Sequence, residues 1–161
     1  MEELADNLRE TIKLAKAVLE MISEKEAGKK SNPAKWSKKE ILGHLIDSAS
    51  NNHQKFVRLA TAPGKTDFVG YKQDEWVNIQ HYNAQSWQEL IHFWFAYNQH
   101  LAFLIQHTNR DTLNNTMMID DKGPFTLSFI MSDYLEHLKH HLLQIIPDWG
   151  ITTEFSMKPY E

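Results

Sequence analysis

Four stretches of the sequence carry apolar residues at intervals of three and four positions, a spacing that places them on one face of an α-helix. These stretches run from about 4 to 27, 37 to 60, 86 to 108 and 126 to 146. Two of them begin at S-x-x-E capping boxes, Ser37–Glu40 and Ser86–Glu89, and Pro147 follows the last one. No segment alternates polar and apolar residues as a half-buried strand does. The pattern therefore predicts an all-α fold, packed most economically as a four-helix bundle.

A long connection separates the second predicted helix from the third. Pro63-Gly64 ends the second helix, and residues 63–85 hold one short helical piece around Asp74–Gln80. A connection of this length is typical of an ordered functional loop or of a crossover between distant helix ends, so an up-down-up-down order is not assured. Residues 109–121 are polar, and residues 148–161 are expected to form a tail that either packs loosely or docks on the bundle.

The composition limits the class of protein. The chain has 161 residues and a formal net charge of −4, so it lacks the basic surplus that binds phosphate backbones or anionic membrane surfaces. No apolar run approaches the roughly 20 residues that cross a bilayer, and the opening Met1-Glu2-Glu3 does not begin a signal peptide. We therefore expect one cytoplasmic domain over residues 1–161 that binds neither nucleic acid nor membrane.

The chain has no cysteine and nine histidines. The absence of cysteine excludes disulfides, thiolate metal sites and a cysteine nucleophile, so any thiol chemistry requires a thiol from outside the chain. Histidine is the commonest metal ligand and a frequent general base. The useful question is therefore which histidines lie on the same face of a predicted helix or on faces that can meet.

Three histidines are candidates for a shared metal site. His137 and His141 lie about 40° apart on the fourth helix, one turn apart at the edge of its apolar stripe. His44 lies about 60° outside Ile41 on the second helix, so it borders the core without belonging to it. Three neutral imidazoles would leave positions open to water or substrate, as in a catalytic divalent-metal centre. The alternative is that the H-x-x-x-H spacing arises by chance among nine histidines and that His44 is only a partly buried polar residue.

Two polar residues of the fourth helix are candidates for orienting those imidazoles. Asp133 and Gln144 each lie about one turn from a histidine of the H-x-x-x-H pair, and each is equally compatible with a solvated position. His140 is predicted to face outward, more than a quarter-turn from the apolar stripe.

Four further residues are candidates for contacting a substrate. Lys55 and Arg58, late in the second helix, suit an anionic group, although composition alone favours an ordinary charged helix end. Tyr71 and Trp76 in the long connection either close over a pocket or anchor the connection to the bundle.

Two runs of residues resemble the DinB/YfiT-like superfamily. They are Trp36–Ser48, with the form W-x7-H-L-x-D-S, and Tyr134–Ile145, which contains the closing H-x3-H. The closer likeness is to the YfiT branch of metal-dependent hydrolases and bacillithiol transferases. That branch also has an arginine a few turns after the first run and a tyrosine and a tryptophan in the loop, matched here by Arg58, Tyr71 and Trp76.

The likeness covers about residues 30–147, with one visible departure. Gly43-His44 and Glu136-His137 stand where the branch often has His-His and Trp-His. This departure leaves the metal-binding pattern intact and the substrate class open.

The resemblance implies a DinB-like four-helix bundle that binds a divalent metal, most often zinc or nickel, and it is compatible with a homodimer. The implied metal ligands are His44, His137 and His141, and the implied substrate contacts are Arg58, Tyr71 and Trp76. The expected activity is transfer of a low-molecular-weight thiol to an electrophilic small molecule. The alternatives are a metal-dependent hydrolase and a non-catalytic small-molecule-binding or stress-response module.

Overall fold

The computed structural model describes residues 1–61 and 65–158, and the side chains of all of these except residue 65. The end of the second helix predicted at Pro63-Gly64 therefore lies outside the described residues. Six α-helices are present in the described part: α1 Glu2–Leu19, α2 Glu24–Ala27, α3 Lys38–Thr61, α4 Gln73–Gln80, α5 Trp87–Gln106 and α6 Leu127–Ile145. Short 3-10 turns lie at Tyr82–Ala84 and Arg110–Thr112.

The long helices α3, α5 and α6 agree with three of the predicted segments, and their caps explain where they begin. The Ser37 hydroxyl accepts a hydrogen bond from the Glu40 amide at 3.2 Å, and Glu40 Oε2 accepts one from the Ser37 amide at 2.7 Å. This reciprocal pair is a complete capping box. The hydroxyls of Ser86 and Thr126 cap α5 and α6 in the same way, each by accepting from an amide three residues on.

The first predicted helix is interrupted, which the sequence pattern did not predict. It ends at Leu19, and Ser23 caps the separate short helix α2 by accepting from the Glu26 amide. Glu24 then accepts a hydrogen bond from the Trp87 amide at 2.9 Å, at the first turn of α5. The break therefore lets an acidic side chain reach the positive N-terminal end of a neighbouring helix.

The prediction of an all-α fold is wrong in one respect, because a small three-stranded sheet is present. Its strands are β1 Lys65–Phe68, β2 Thr116–Ile119 and β3 Lys122–Thr126, with β1 parallel and β3 antiparallel to the central β2. Asp120 and Asp121, both with positive φ, form the tight turn between β2 and β3. Strands of four or five residues are too short for alternation to stand out in the sequence.

The order of the long helices around the bundle determines which side chains can meet. α5 packs against α1 and α3, and α6 packs against α3 and also contacts α1. The order around the bundle is therefore α1, α5, α3, α6, and the first two long helices, α1 and α3, lie across the bundle from each other. Helix α3 has α6 as a neighbour, so the histidine-bearing faces predicted on these two helices can oppose each other.

Buried aliphatic and aromatic side chains from all four long helices fill the interior, including Trp87, Trp94 and Tyr134. Within residues 1–61 and 65–158, no helix combines the length and the apolar character that a membrane span requires.

Candidate metal centre

The three predicted histidines converge between α3 and α6. His44 lies on α3, and His137 and His141 lie one turn apart on α6. The Nε2 atoms of His44 and His137 are 3.4 Å apart, and one ring nitrogen from each of the three residues lies within 4.8 Å of the others. Among the described residues this is the one group of histidine and acidic side chains with the spacing of a metal site.

His44 is more deeply buried than the sequence predicts. Its exposed fraction is 0%, although the helical wheel places it at the border of the core. The Trp36 ring lies 5.1 Å from the His44 ring, and the Tyr71 ring stacks at 6.3 Å. The aromatic residues before α3 and after β1 therefore cover a face of α3 that the wheel alone leaves open to solvent.

Each imidazole has a partner at Nδ1. The Tyr71 hydroxyl lies 3.3 Å from Nδ1 of His44, and the Ser48 hydroxyl lies 3.3 Å from Nδ1 of His137. Gln144 Oε1 lies 3.2 Å from Nδ1 of His141. An amide oxygen only accepts, so this last contact favours the tautomer with hydrogen on Nδ1 and a free lone pair on Nε2.

These partners refine the sequence-based interpretation. Gln144 makes the contact predicted for an orienting residue, and its side chain is also exposed, as the alternative predicted. The hydroxyl at Nδ1 of His137 belongs to Ser48, which the sequence analysis did not select, although Ser48 lies one turn after His44 and therefore on the same face of α3. Asp133 instead lines the cavity beside the histidines.

Burial keeps the three imidazoles neutral at ordinary pH. It lowers the pKa of His44 to about 3 and that of His141 to about 4, and it lowers the pKa of His137 well below its usual value. Neighbouring imidazoles lower all three pKa values further, while the hydrogen bond that His141 donates to Gln144 Oε1 raises the pKa of His141. A neutral imidazole is the form that binds a metal, so the ligands do not need to lose protons first.

The spacing and chemistry of these residues fit a divalent metal. Nitrogens bound tetrahedrally at about 2.1 Å from zinc are about 3.4 Å apart, and the His44 and His137 Nε2 atoms have this separation. Imidazole suits zinc, nickel, copper and iron. The three residues thus form a site of suitable size with donors of suitable type.

A cavity of about 200 Å³ reaches the site at His137 and gives a small molecule room next to that residue. Its walls include Ser48, Lys55, Tyr71, Tyr134, His137 and Phe155. The acidic residues Asp120 and Asp133 also line it.

The C-terminal tail docks over this cavity, which was one of its two predicted states. The Phe155 ring lies 5.1 Å from the His137 ring and 5.3 Å from the His140 ring. Thr153 donates to the Glu136 carbonyl, and the Glu154 amide donates to the Glu136 carboxylate, both at 2.8 Å. The tail therefore forms one wall of the site.

The candidate substrate contacts differ in their distance from the histidines. Tyr71 and Lys55 line the cavity, and Lys55 Nζ lies 5.2 Å from the centroid of the Phe68 ring. Trp76 packs on Tyr71 at 4.8 Å and borders a different cavity. Arg58 is exposed over Phe68, about 21 Å along α3 from His44, and the structure does not bring it to the site.

Two solved structures resemble this fold closely. YfiT from Bacillus subtilis, described as a probable metal-dependent hydrolase with an unusual four-helix bundle topology, is 16% identical with a TM-score of 0.80. The match covers 90% of this chain and 83% of that one. The mycothiol-dependent maleylpyruvate isomerase is 12% identical with a TM-score of 0.66, over 94% of this chain and 61% of that one. No curated protein sequence matches the chain.

The family assignment follows from the length of chain that the family model covers. The model of the DinB superfamily matches residues 7–145, which include both runs that carry the resemblance and all three histidines. The chain belongs to the DinB superfamily.

Proposed function

We propose that the protein is a divalent-metal-dependent enzyme that transfers a low-molecular-weight thiol to an electrophilic small molecule. The observation that carries this proposal is the group of three neutral imidazoles at metal-binding distance, one of which, His137, lines a cavity of about 200 Å³. Bound zinc or nickel would hold the sulfur of the thiol as thiolate near neutral pH.

The chain itself supplies orientation and exclusion of water. Tyr71, Ser48 and Gln144 fix the imidazole rings through their Nδ1 atoms, and Phe155 covers the side of His137 that would otherwise face solvent. Fixed ligand orientation and partial covering of the site strengthen electrostatic interactions within it.

The sequence is compatible with an external thiol as the nucleophile. The chain contains no cysteine, so the sulfur must come from a cosubstrate. In the proposed reaction the thiol gives its proton to solvent, the sulfur forms a bond to carbon, and the leaving group departs with the electron pair of the broken bond. The neighbouring structure of a mycothiol-dependent isomerase, which shares the fold, adds support for a thiol cosubstrate.

Hydrolysis is the second candidate, because two carboxylates line the same cavity. Asp120 and Asp133 lie on its walls with His137, and a carboxylate near a metal site is a candidate base for an attacking water. The description of YfiT as a probable metal-dependent hydrolase supports the same alternative.

The test begins with the metal content of protein purified without an affinity tag. We expect about one equivalent of metal in the wild type and a large loss in His137→Ala. His92→Ala is the matched control, because His92 is an exposed histidine of α5 outside the triad. Equal metal content in the wild type and His137→Ala would contradict the assignment of His137 as a metal ligand.

Two assays then separate the candidate reactions. The wild type should accelerate conjugation of cysteine with 1-chloro-2,4-dinitrobenzene above the uncatalysed rate, and chelation should remove the acceleration. Metal-dependent cleavage of 4-nitrophenyl acetate without any thiol would instead favour the hydrolase. Metal-loaded protein that is inactive with panels of thiols, electrophiles and esters would favour a non-catalytic binding module.

A further inference from the structure

A second, larger cavity lies between α3, α4 and α5. Its volume is about 540 Å³, and its walls include Asp47 from α3, Trp76 and Gln80 from α4, and Phe93 and Tyr97 from α5. None of these residues lines the cavity beside the three histidines. The second cavity is therefore a separate feature of the fold.

Asp47 is a buried carboxylate without a counter-ion among the described side chains. Its exposed fraction is 3%. Oδ1 accepts hydrogen bonds from the Tyr82 hydroxyl at 2.7 Å and from the Gln80 amide at 2.6 Å, whereas Oδ2 has no described partner. No described lysine, arginine or histidine forms an ion pair with it. Buried carboxylates are normally paired, because desolvating an unpaired charge is costly.

Aromatic rings form much of the remaining wall. Trp76 and Phe93 are 38% and 57% exposed, which is a large apolar surface for two aromatic side chains to leave in water. The Phe93 ring is nearly parallel to that of Tyr97, with centroids 5.9 Å apart. The faces of such rings attract cations, tryptophan most strongly.

We infer that this cavity binds an organic ammonium ion, with Asp47 as its counter-ion and Trp76, Phe93 and Tyr97 as the aromatic wall. The ammonium donates to the unpartnered Oδ2, and the organic group covers the exposed rings. Gln80 is an exposed residue whose amide contacts the same carboxylate. Oδ2 is itself buried, so the inference requires the Gln80 side chain, which contacts the carboxylate at Oδ1, to move when the ligand enters.

If Asp47 had only a structural role, Asp47→Asn would leave cation binding unchanged. The hydrogen bonds that hold Tyr82 and Gln80 both end on Oδ1, and the side-chain oxygen of asparagine can accept both. Asp47→Asn therefore preserves that role while it removes the negative charge. Loss of cation binding in a folded Asp47→Asn protein would separate the binding role from the structural one.

The probe is benzylammonium, with benzyl alcohol as its neutral analogue, followed by NMR of the tryptophan indole groups. The chain has five tryptophans, and Trp76→Phe assigns the relevant signal. We expect benzylammonium to shift the Trp76 signal saturably and benzyl alcohol to have little effect at the same concentration. Asp47→Asn should raise the dissociation constant about tenfold or more, and Phe93→Ala should raise it about two- to fivefold.

Asp74→Asn is the matched control, because it removes an exposed negative charge from α4 and should leave binding unchanged. Absence of a benzylammonium shift, equal binding of the neutral analogue, or equal effects of the two aspartate variants would each overturn the inference. If Asp47→Asn fails to fold, the comparison of the two probes and the surface variant Phe93→Ala still decide it. Metal content, which should not change in Phe93→Ala, keeps this result separate from that of the histidine site.

Discussion

Replacing Gly43 with alanine tests how closely α3 and the segment after α4 are packed. A Cβ atom at Gly43 would lie 2.2 Å from Cγ and Cδ2 of Tyr82, far inside van der Waals contact. The Tyr82 ring is 3% exposed, and its hydroxyl bonds Asp47 and Gln80, so the ring cannot move away without breaking these contacts. We therefore expect Gly43→Ala to destabilise the protein, although alanine is the better helix former.

The magnitude follows from three contributions. Overpacking a core costs about 1–3 kcal/mol, and weakening the hydrogen bond from Tyr82 to the buried carboxylate adds about 1–2 kcal/mol. The higher helix propensity of alanine offsets about 1 kcal/mol of this. The expected net loss is about 1–4 kcal/mol, and a domain of this size loses about 2–4 °C in melting temperature for each kcal/mol.

Urea titration of the wild type and Gly43→Ala measures this loss, with Gly28→Ala as the control. A Cβ atom at Gly28 would have its nearest contact at 3.5 Å, and the φ of −83° suits any residue. Gly28→Ala should therefore be neutral or slightly stabilising. In a Tyr82→Leu background the effect of Gly43→Ala should shrink, because less of the ring remains to clash. A Gly43→Ala protein as stable as the wild type, or more stable, would refute the reasoning.

Three further outcomes are expected. Metal-free protein should lose stability as the pH falls below about 6.5, because the unfolded chain then binds protons that the buried imidazoles of the folded protein do not. His44, with its pKa lowered to about 3, alone accounts for a loss of about 2 kcal/mol in the free energy of unfolding at pH 5. Equal urea midpoints at pH 7 and pH 5 would contradict this. Ser48→Ala should weaken metal affinity about 10- to 100-fold by freeing the His137 ring, measured by competition with a chelator; unchanged affinity would show that the hydroxyl does not orient the ring. Phe155→Ala should leave metal content unchanged and increase access of a coloured chelator to the site, so an unchanged rate of metal removal would count against a covering role.

The long helices were predictable because each follows a simple period over many residues. The sheet was not, since β1 and β2 pair across about fifty positions and contain four residues each. The order of the helices around the bundle was also not predictable, because it depends on which apolar stripes pack together, and several stripes are similar.

The candidate metal centre was predictable only in part, because some of its contacts are local to one helix and others join distant parts of the chain. The spacing of His137 and His141 is local to one helix, whereas the pairing with His44 requires two helices to meet. Ser48 could have been found, because it lies one turn from His44 on the same face. The isolation of Asp47 could not, because it depends on Tyr82 and Gln80, more than thirty positions away.

The position of the three histidines in the chain has a consequence for how the bundle comes apart. His44 and His137 are 93 positions apart, so an ion shared between α3 and α6 would close a loop that contains the sheet, α4 and α5. Such a closure restricts the unfolded chain as a disulfide does. Helix α1 precedes the loop, so the ion would not tether it, and only its packing against α5 and α6 would hold it in the bundle.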